Sequence, residues 1–513
     1  MKKIWNIIRK ICFLLSIILL ILITYSLAWA QRYYGNIGLA EIVFTLNMPL
    51  KGTAQNFINS YLLEVMFPFV FVVITILFFC IYKINKVYVL ELSFKDISLN
   101  ILSNSGYGKW FFRGILGIWF GVLLFSANNS FQLFEFLEGQ VTRSKFIENE
   151  YVDPQKVNLI FPEQKKNLIY VFVESLESSL QDTKNGGLFN ENYIADLTIL
   201  AKENISFSQS DLLEGAAVAP GTGWTIAGII AETAGIPLKL YTQSDLVDNG
   251  MGQYISFLPG AVALGDILKD NGYKNYFMQG SDIKFAGKES YFKEHGDYEI
   301  WDYNTAKEKG IVPEDYYVWW GIEDSKLFNW AKEELLNIAD KGEPFNFTLL
   351  TVDTHHPHGY ICELCESEYS EKYANVYQCI SRQVVEFVEW IQQQKFYENT
   401  EIVVVGDHCS MNAEFFEGEE YDKHNGSVER KVYNVFINAG KNGVKEKNRK
   451  FTTMDFYPTV LSGLGVEIEG NRLGLGTNLF SDRQTLIEEY GYEYVFEELN
   501  KKSNFYDQRL LYP

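Results

Sequence analysis

The chain has 513 residues, 47% hydrophobic and 16% aromatic, with 65 acidic against 45 basic residues and a formal net charge of −20. That length suits one large domain plus a further element. The acidic balance speaks against nucleic acid as a partner and against a basic patch as the means of membrane attachment.

The further element comes first. Ile11 to Ala30 is an uncharged, mostly apolar run preceded by Lys2, Lys3, Arg9 and Lys10. Tyr61 to Ile81 is a second run, interrupted near its start by Glu64 and Pro68, and Trp110 to Ala127 is a third, with Arg113 near one end. Each approaches the roughly 20 residues that span a bilayer. Lys83, Lys86, Lys95 and Lys109 lie between the second and third runs, but only Arg32 and Lys51 between the first and second. This asymmetry predicts a multi-pass membrane protein with the N-terminus and the 82–109 loop in the cytoplasm, and everything after about residue 130 outside. Ser26-Leu-Ala-Trp-Ala30 resembles a signal-peptidase site, yet the long apolar run and the spans after it favour an uncleaved first helix. The predicted organisation is a membrane domain over 1–130 with about three transmembrane helices and a juxtamembrane linker over 131–165. An extracytoplasmic domain over 166–490 and a C-terminal tail over 491–513 follow.

The outer domain opens on Asn167-Leu-Ile-Tyr-Val-Phe-Val173, a continuous β-forming run of the kind buried on both faces of a parallel sheet. Further strand candidates are Tyr276–Met278, Phe345–Val352, Ile402–Val405 and Val432–Ile437. Helical patterns fall at Asn192–Glu203, Ala261–Asn271, Glu323–Lys341, Ala374–Gln394 and Met454–Gly463. The alternation predicts an α/β fold with a mainly parallel central sheet. Ligands in such folds bind beyond the carboxyl ends of the strands. There the sequence places Glu174-Ser-Leu-Glu177, Asp353-Thr-His-His-Pro-His358 and Gly406-Asp407-His408. Three of the six histidines thus sit at 355, 356 and 358, and His424 lies in a loop.

Between the first two strand candidates runs Val-Ala-Pro220-Gly-Thr222-Gly-Trp224-Thr225, followed by an Ala-rich apolar stretch. Trp224 onward reads as the first turn of a helix, with Thr225 as its cap or as a nucleophile placed where free N–H groups and the helix dipole favour an anion. Thr222, before the helix, is the rival hydroxyl. Asp407 and His408 together are ligands for a divalent cation of the Mn or Zn type. Glu174 can join them, and a metal near Thr225 would lower its pKa and activate it.

Cys12 and Cys80 lie in the apolar runs, Cys409 stands apart, and Cys362, Cys365 and Cys379 cluster. Outside the cytoplasm the cluster reads first as a disulfide. A zinc knuckle is the weaker reading, because C-x-x-C with one more nearby Cys falls short of a zinc signature.

Four pieces together, Asn167-Leu-Ile-Tyr-Val-Phe-Val-Glu-Ser, Gly-Thr-Gly-Trp-Thr225, Asp-Thr-His355-His-Pro and Gly-Asp-His408, resemble the membrane phosphoglycerol transferases. These include the lipoteichoic acid synthases and the enzymes that decorate periplasmic glucans, within the alkaline phosphatase/sulfatase superfamily. The Gly-Thr-Gly-Trp-Thr225 and Phe-Ala-Gly-Lys288 pieces look closest to the glucan-modifying branch. The resemblance implies Mn or Mg, ahead of Zn, held by Glu174, Thr225, Asp407 and His408. It implies a covalent glycerophospho-threonine at Thr225, with His355 at the substrate phosphate as acid or base. The stretch from Gln279 through Asp282 to Lys288 matches the site for the glycerol-phosphate head, with His356 and His424 as further substrate-binding candidates. Lipoteichoic acid synthases begin that stretch with His and end it with Arg. Lys288 can neutralise phosphate but cannot form the bidentate fork of Arg.

The implied reaction takes glycerol phosphate from phosphatidylglycerol, releases diacylglycerol, and passes the group to a hydroxyl of a glycan or polyglycerolphosphate acceptor. A phosphoethanolamine transferase is one alternative. A two-metal hydrolase drawing on Asp353, His356 and His424 is another. A sulfatase proper would need a Cys-x-Pro-x-Arg context that is missing here, and the intact four-ligand set speaks against a non-catalytic lipid- or glycan-binding regulator.

Overall fold

A computed structural model describes residues 2–34, 38–40, 42–43, 55–81, 91–94, 97–100, 106–239, 256–416, 430–440 and 445–513. The chain divides into two compact units: Met1–Gly38 with Ala54–Phe134, and Leu39–Thr53 with Glu135–Pro513.

The first unit is mainly helical, with a short antiparallel hairpin in which Glu91–Phe94 pairs with Ile97–Asn100. Helix α1 spans Lys2–Tyr34, α2 Phe67–Ile81 and α3 Gly106–Phe131. Among the described residues, three stretches are long and apolar enough to cross a membrane: Ile11–Tyr33, Ile58–Ile76 and Arg113–Phe131. Some of their polar side chains bond back within the helix, as Ser16 does to the Cys12 carbonyl and Thr75 to the Phe71 carbonyl, and others bond between helices. Gln31 Nε2 donates to Ser126 and Ser130 Oγ at 2.7 Å each, and Trp119 Nε1 to Thr24 Oγ1 at 3.2 Å. Glu64, the charge that interrupts the second apolar run, accepts from Arg32 at 2.6 Å and from Tyr33 at 2.7 Å.

The second unit is built on a sheet. Its strands are β1 (Asn167–Val173), β2 (Lys274–Gln279), β3 (Glu299–Trp301), β4 (Phe345–Leu350), β5 (Thr400–Gly406) and β6 (Asn434–Ile437). Among the described residues their order is β6-β5-β1-β4-β2-β3. All neighbours run parallel except β6, which pairs antiparallel with β5 at the edge. The mainly parallel sheet is the one the apolar runs predict. Two details differ. The Val432–Ile437 run is split, with Val432 pairing instead with Ala216. The short edge strand β3 has an exposed-to-buried pattern too brief to register as a period.

The alternating side chains of β1 show how the layers form. Leu168, Tyr170 and Phe172 enter one core, with residues of α6 (Thr225–Ala234), α7 (Leu264–Asp270) and α10 (Phe456–Gly463). Ile169, Val171 and Val173 enter the other, with residues of α5 (Ala195–Glu203), α8 (Asp324–Ala339) and α9 (Lys372–Gln392). Helices cover both faces, so the central strands are buried throughout. Two further helices, α4 (Leu133–Val141) and α11 (Tyr492–Asn500), lie outside this sandwich in the sequence.

The loop from β4 to α9 carries the cysteine cluster. Cys365 is bridged to Cys379 of α9, and Cys362 is a buried free thiol. The bridge uses two of the three sulfurs, too few being left for a zinc knuckle. Cys362 Sγ lies 3.6 Å from Cys365 and 3.9 Å from Cys379, so all three candidates share one spot but only two are joined. Non-reducing peptide mapping should show the Cys365–Cys379 link, with Cys362 alkylated only after unfolding. Cys365→Ser should cost about 3 kcal/mol for a loop of this size, measured by denaturant unfolding. A Cys362–Cys365 link in the map would contradict the assignment.

Candidate active site

Strand register builds the site. Val173 of β1 is the parallel partner of Gly406 of β5, so the next residues, Glu174 and Asp407, leave the sheet side by side. Gly406 is required there: a Cβ would meet the Leu176 carbonyl oxygen at 1.8 Å. His408 follows Asp407. The ligand atoms of Glu174, Asp407 and His408 all lie within 4.8 Å of one another, and all three residues are buried.

The hydrogen bonds orient these groups for a cation. His408 Nδ1 faces the Cys409 carbonyl oxygen at 2.8 Å, which places the proton on Nδ1 and leaves the Nε2 lone pair toward the cluster. Asp407 Oδ1 accepts from the backbone N–H of Ser175 at 2.8 Å and of His408 at 2.9 Å. Asp407 Oδ2 accepts no hydrogen bond among the described residues, an orphaned buried oxygen that asks for a partner. Ser175 Oγ donates to Glu174 Oε1 at 2.8 Å. Two carboxylates and one imidazole, with one carboxylate oxygen unpaired, fit a divalent metal of the oxygen- and nitrogen-seeking kind.

Electrostatics agree with this geometry. Burial pushes Asp407 up to about 8, and the Glu174 charge adds to it. Burial disfavours charge on His408, yet Asp407 and Glu174 outweigh it and carry the imidazole up to about 10. Burial also opposes charge on Glu174, but His355 and His408 hold its carboxyl below the usual range.

Thr225 is the first residue of α6, one place later than the helix start expected from the sequence. The cap position belongs to Trp224, and it has no side-chain cap bond. Thr225 Oγ1 instead points into the cluster, 3.3 Å from Glu174 Oε2 and 3.4 Å from His408 Nε2. Thr222 is fully buried and donates to the Ala219 carbonyl at 2.8 Å, a turn-stabilising role. α6 reaches this position because Gly228 lets it lie against β5. A Cβ on Gly228 would meet the Asp407 carbonyl oxygen at 1.8 Å.

The loop after β4 supplies the next wall. His355 is partly exposed, its Nδ1 is 2.8 Å from the His356 carbonyl, and its ring lies 4.5 Å from that of Trp320. Burial lowers its pKa against the raising effect of Glu174. His356 is buried, with its ring stacked on His355 at 4.6 Å, and burial drives its pKa well down. Asp353 turns to α8, where its Oδ2 accepts from the Asp324 N–H at 3.1 Å. Among the described residues Asp353 and His356 belong to no group of three or more close ligand atoms. His424 lies outside the described residues.

The 279–288 stretch gives a buried polar wall. Gln279 is buried and donates to the Ser281 carbonyl at 3.1 Å, and Asp282 accepts from the Lys284 N–H at 2.9 Å. Lys288 is 3% exposed with its Nζ 5.3 Å above the Phe285 ring. Burial lowers its pKa to about 8, against the pull of Glu174, Asp407 and Asp282. Sequence reasoning missed Ser175, Thr351 and Thr354. Thr351 Oγ1 accepts from the Glu174 N–H at 3.0 Å, and Thr354 donates to the Glu174 carbonyl. It also missed Arg430, which clamps Glu177 through Nε at 2.8 Å and donates to the Ser410 carbonyl at 2.6 Å. Only their position beside a strand end signals the first three; nothing local signals Arg430.

Residues 166–466 match the family model described as Sulfatase, more than half of the chain. The chain belongs to the sulfatase family. Phosphoglycerol transferase I of Shigella flexneri is 32% identical over 343 residues, covering 64% of this chain and 41% of the relative. Phosphoglycerol transferase I of Escherichia coli O6:K15:H31 matches with the same identity and coverage. This chain therefore aligns with about two-fifths of the length of those relatives. Among solved structures, the lipoteichoic acid synthase LtaP from Listeria monocytogenes shares the fold. Its TM-score is 0.50 and its identity 17%, over 66% of this chain and 81% of that one.

The close approach of α6 to β5 is open to test. Gly228→Ala adds a methyl where backbone already stands, an overpacking that costs roughly 1–3 kcal/mol. This exceeds the helix-propensity gain of about 1 kcal/mol. The melting temperature of the full chain in detergent should fall, whereas Gly223→Ala, whose Cβ meets only Val218 at 3.6 Å, should leave it unchanged.

Proposed function

We propose that this sulfatase-family chain transfers glycerol phosphate from phosphatidylglycerol to an acceptor hydroxyl on a glycan or polyglycerolphosphate polymer, with Thr225 as the nucleophile. The observation that carries the reading is the Thr225 hydroxyl. It begins a helix without capping it and lies within 3.4 Å of both Glu174 and His408. Glu174, Thr225, Asp407 and His408 would hold a divalent cation, Mn or Mg ahead of Zn. When bound it would lower the Thr225 pKa and offset phosphoryl charge.

The chain's own residues do the rest. Thr225 Oγ attacks the donor phosphorus, the bond from phosphorus to the diacylglycerol oxygen breaks, and glycerol phosphate stays on Thr225. His355 takes the Thr225 hydroxyl proton as the attack begins and passes it to the departing diacylglycerol oxygen. In the second half the acceptor hydroxyl attacks the same phosphorus, His355 takes its proton, the bond from phosphorus to Thr225 Oγ breaks, and His355 returns the proton to Thr225. The free N–H groups of the first turn of α6 favour the phosphoryl oxygens, and Lys288 places a positive charge near them. The lipid donor agrees with helices long enough to span a bilayer. The reaction then takes place outside the cytoplasm, following the charge asymmetry of the loops. The proposed boundaries stay at 1–130, 131–165, 166–490 and 491–513.

Two measurements test this. In Thr225→Ala, diacylglycerol release from labelled phosphatidylglycerol should fall by roughly 10³-fold or more with an unchanged melting temperature. Thr222→Ala should lose only the stability of one hydrogen bond, about 1 kcal/mol, and remain active. Without acceptor, the wild-type chain should carry a glycerophosphate mass on the peptide containing Thr225. Full activity in Thr225→Ala, or the adduct elsewhere, would falsify the assignment. The pKa of Lys288 adds a pH test. A lysine lowered to about 8 is cationic below that pH and neutral above it. Each pH unit beyond removes about tenfold of the charged form, so the donor KM should climb as pH passes from 7 to 9. Lys288→Arg should flatten that climb.

A further inference from the structure

Helix α4 follows α3 after the single residue Gln132, whose φ of 52° turns the chain sharply. One side of α4 is pinned. Gly139 is buried so tightly that a Cβ would meet the Asn500 carbonyl oxygen, at the end of α11, at 2.5 Å. Asn500 donates to Glu135, the Ser144 N–H donates to the Lys502 carbonyl at 2.8 Å, and the Lys502 N–H to the Thr142 carbonyl at 3.1 Å.

The other side carries a bare apolar stripe, with the exposed Glu138 at its border. Phe134 is 55% exposed, Leu137 49% and Val141 81%. At i, i+3 and i+7 they form one stripe along the helix. Exposed Arg143 and Lys145 follow directly. An apolar stripe held outward by a fixed helix needs a cover, and chain connectivity says which cover is at hand. Arg113–Phe131 is long and apolar enough to cross a bilayer. One intervening residue reaches at most about 3.6 Å, so α4 begins where that span leaves the hydrocarbon.

We infer that the Phe134–Leu137–Val141 face of α4 lies in the membrane interface, its side chains among the upper acyl chains and Arg143 and Lys145 at the level of the lipid phosphates. A short amphipathic helix held in the plane of the interface buries its apolar face in this way. Gly139 and Glu135 fix the opposite side of the helix to Asn500, so the stripe keeps facing outward. The inference rests on α3 crossing the membrane and is independent of the transfer chemistry.

The test uses the full chain in vesicles of phosphatidylcholine and phosphatidylglycerol. They include a phosphatidylcholine with a photoactivatable diazirine near the carbonyl end of one acyl chain. After illumination, adducts are assigned to residues by mass spectrometry. Adducts should appear within the three spans and on 134–141. In the double variant Leu137→Glu with Val141→Glu, the 134–141 adducts should drop at least tenfold while the spans stay labelled. Labelled spans with an unlabelled 134–141 segment in the wild-type chain would overturn the inference and put protein or water on the stripe. An unlabelled Arg113–Phe131 would overturn it at its premise.

Discussion

Two acids side by side at the centre of a buried parallel sheet set the terms for the rest of the site. Register leaves Glu174 and Asp407 adjacent whatever the side chains prefer. Like charges at such a spot raise each other's pKa and strongly resist joint ionisation. The nearest relief within the chain is the His408 imidazole, 3.3 Å from Glu174 and 3.5 Å from Asp407. One imidazole cannot balance two carboxylates and also leave a lone pair free. The proposed cation would complete the arrangement, and the Thr225 oxygen stands beside the place it would take.

The treatment of other buried acids in the same unit sharpens this reading. Glu177, three residues on, has its own guanidinium: Arg430 grips it through two nitrogens and lies 3.6 Å over the Phe416 ring. Glu232 of α6 and Glu401 of β5 have no such guanidinium. Burial disfavours the charge on both and drives their pKa well up, and Tyr170 donates to Glu232 at 3.1 Å. The chain thus pairs one acid and disfavours the charge on two others. At the ends of β1 and β5 it instead gathers acids around an open carboxylate oxygen with a hydroxyl alongside.

Much of this is legible because burial writes itself into sequence. The strands β1, β4 and β5 are apolar runs with no polar face to hide, and the residues that end them are polar by necessity of function. Thr225 can be preferred over Thr222 because it stands beside the apolar Ala-rich helix. The structure adds that Thr222 is spent on a turn. Direction and pairing are not legible. Nothing in Val432–Ile437 says that Asn434–Ile437 runs antiparallel while Val432 pairs elsewhere. The expected helix start falls one residue early, since Trp224 and Thr225 have equal claims until the dihedral angles of Trp224 are known. Among the cysteines, C-x-x-C spacing brings Cys362 and Cys365 together. It cannot choose which one faces Cys379, because that depends on how the loop meets α9.

That loop carries His355, and its supports show why a residue on a connection between elements can still be aimed. At its start, the Asp324 carboxylate at the head of α8 takes the N–H groups of Val352 and Asp353 at 2.8 Å each. In its middle, the Tyr373 hydroxyl of α9 donates to the Thr354 carbonyl, and the Tyr360 N–H to the Asp353 carbonyl at 2.7 Å. At its far end the Cys365–Cys379 bridge fastens it to α9 again. Asp324 and Asp353 can face each other because burial raises both, Asp324 to about 7, so the pair need not carry two charges. A loop held at both ends and in the middle does not have to be ordered by its substrate, and a proton-transfer group on it can be positioned in advance of the reaction. The acids around the site therefore divide into two sets. Asp324 and Asp353 shape the backbone that presents His355, while Glu174 and Asp407 face the place proposed for the cation.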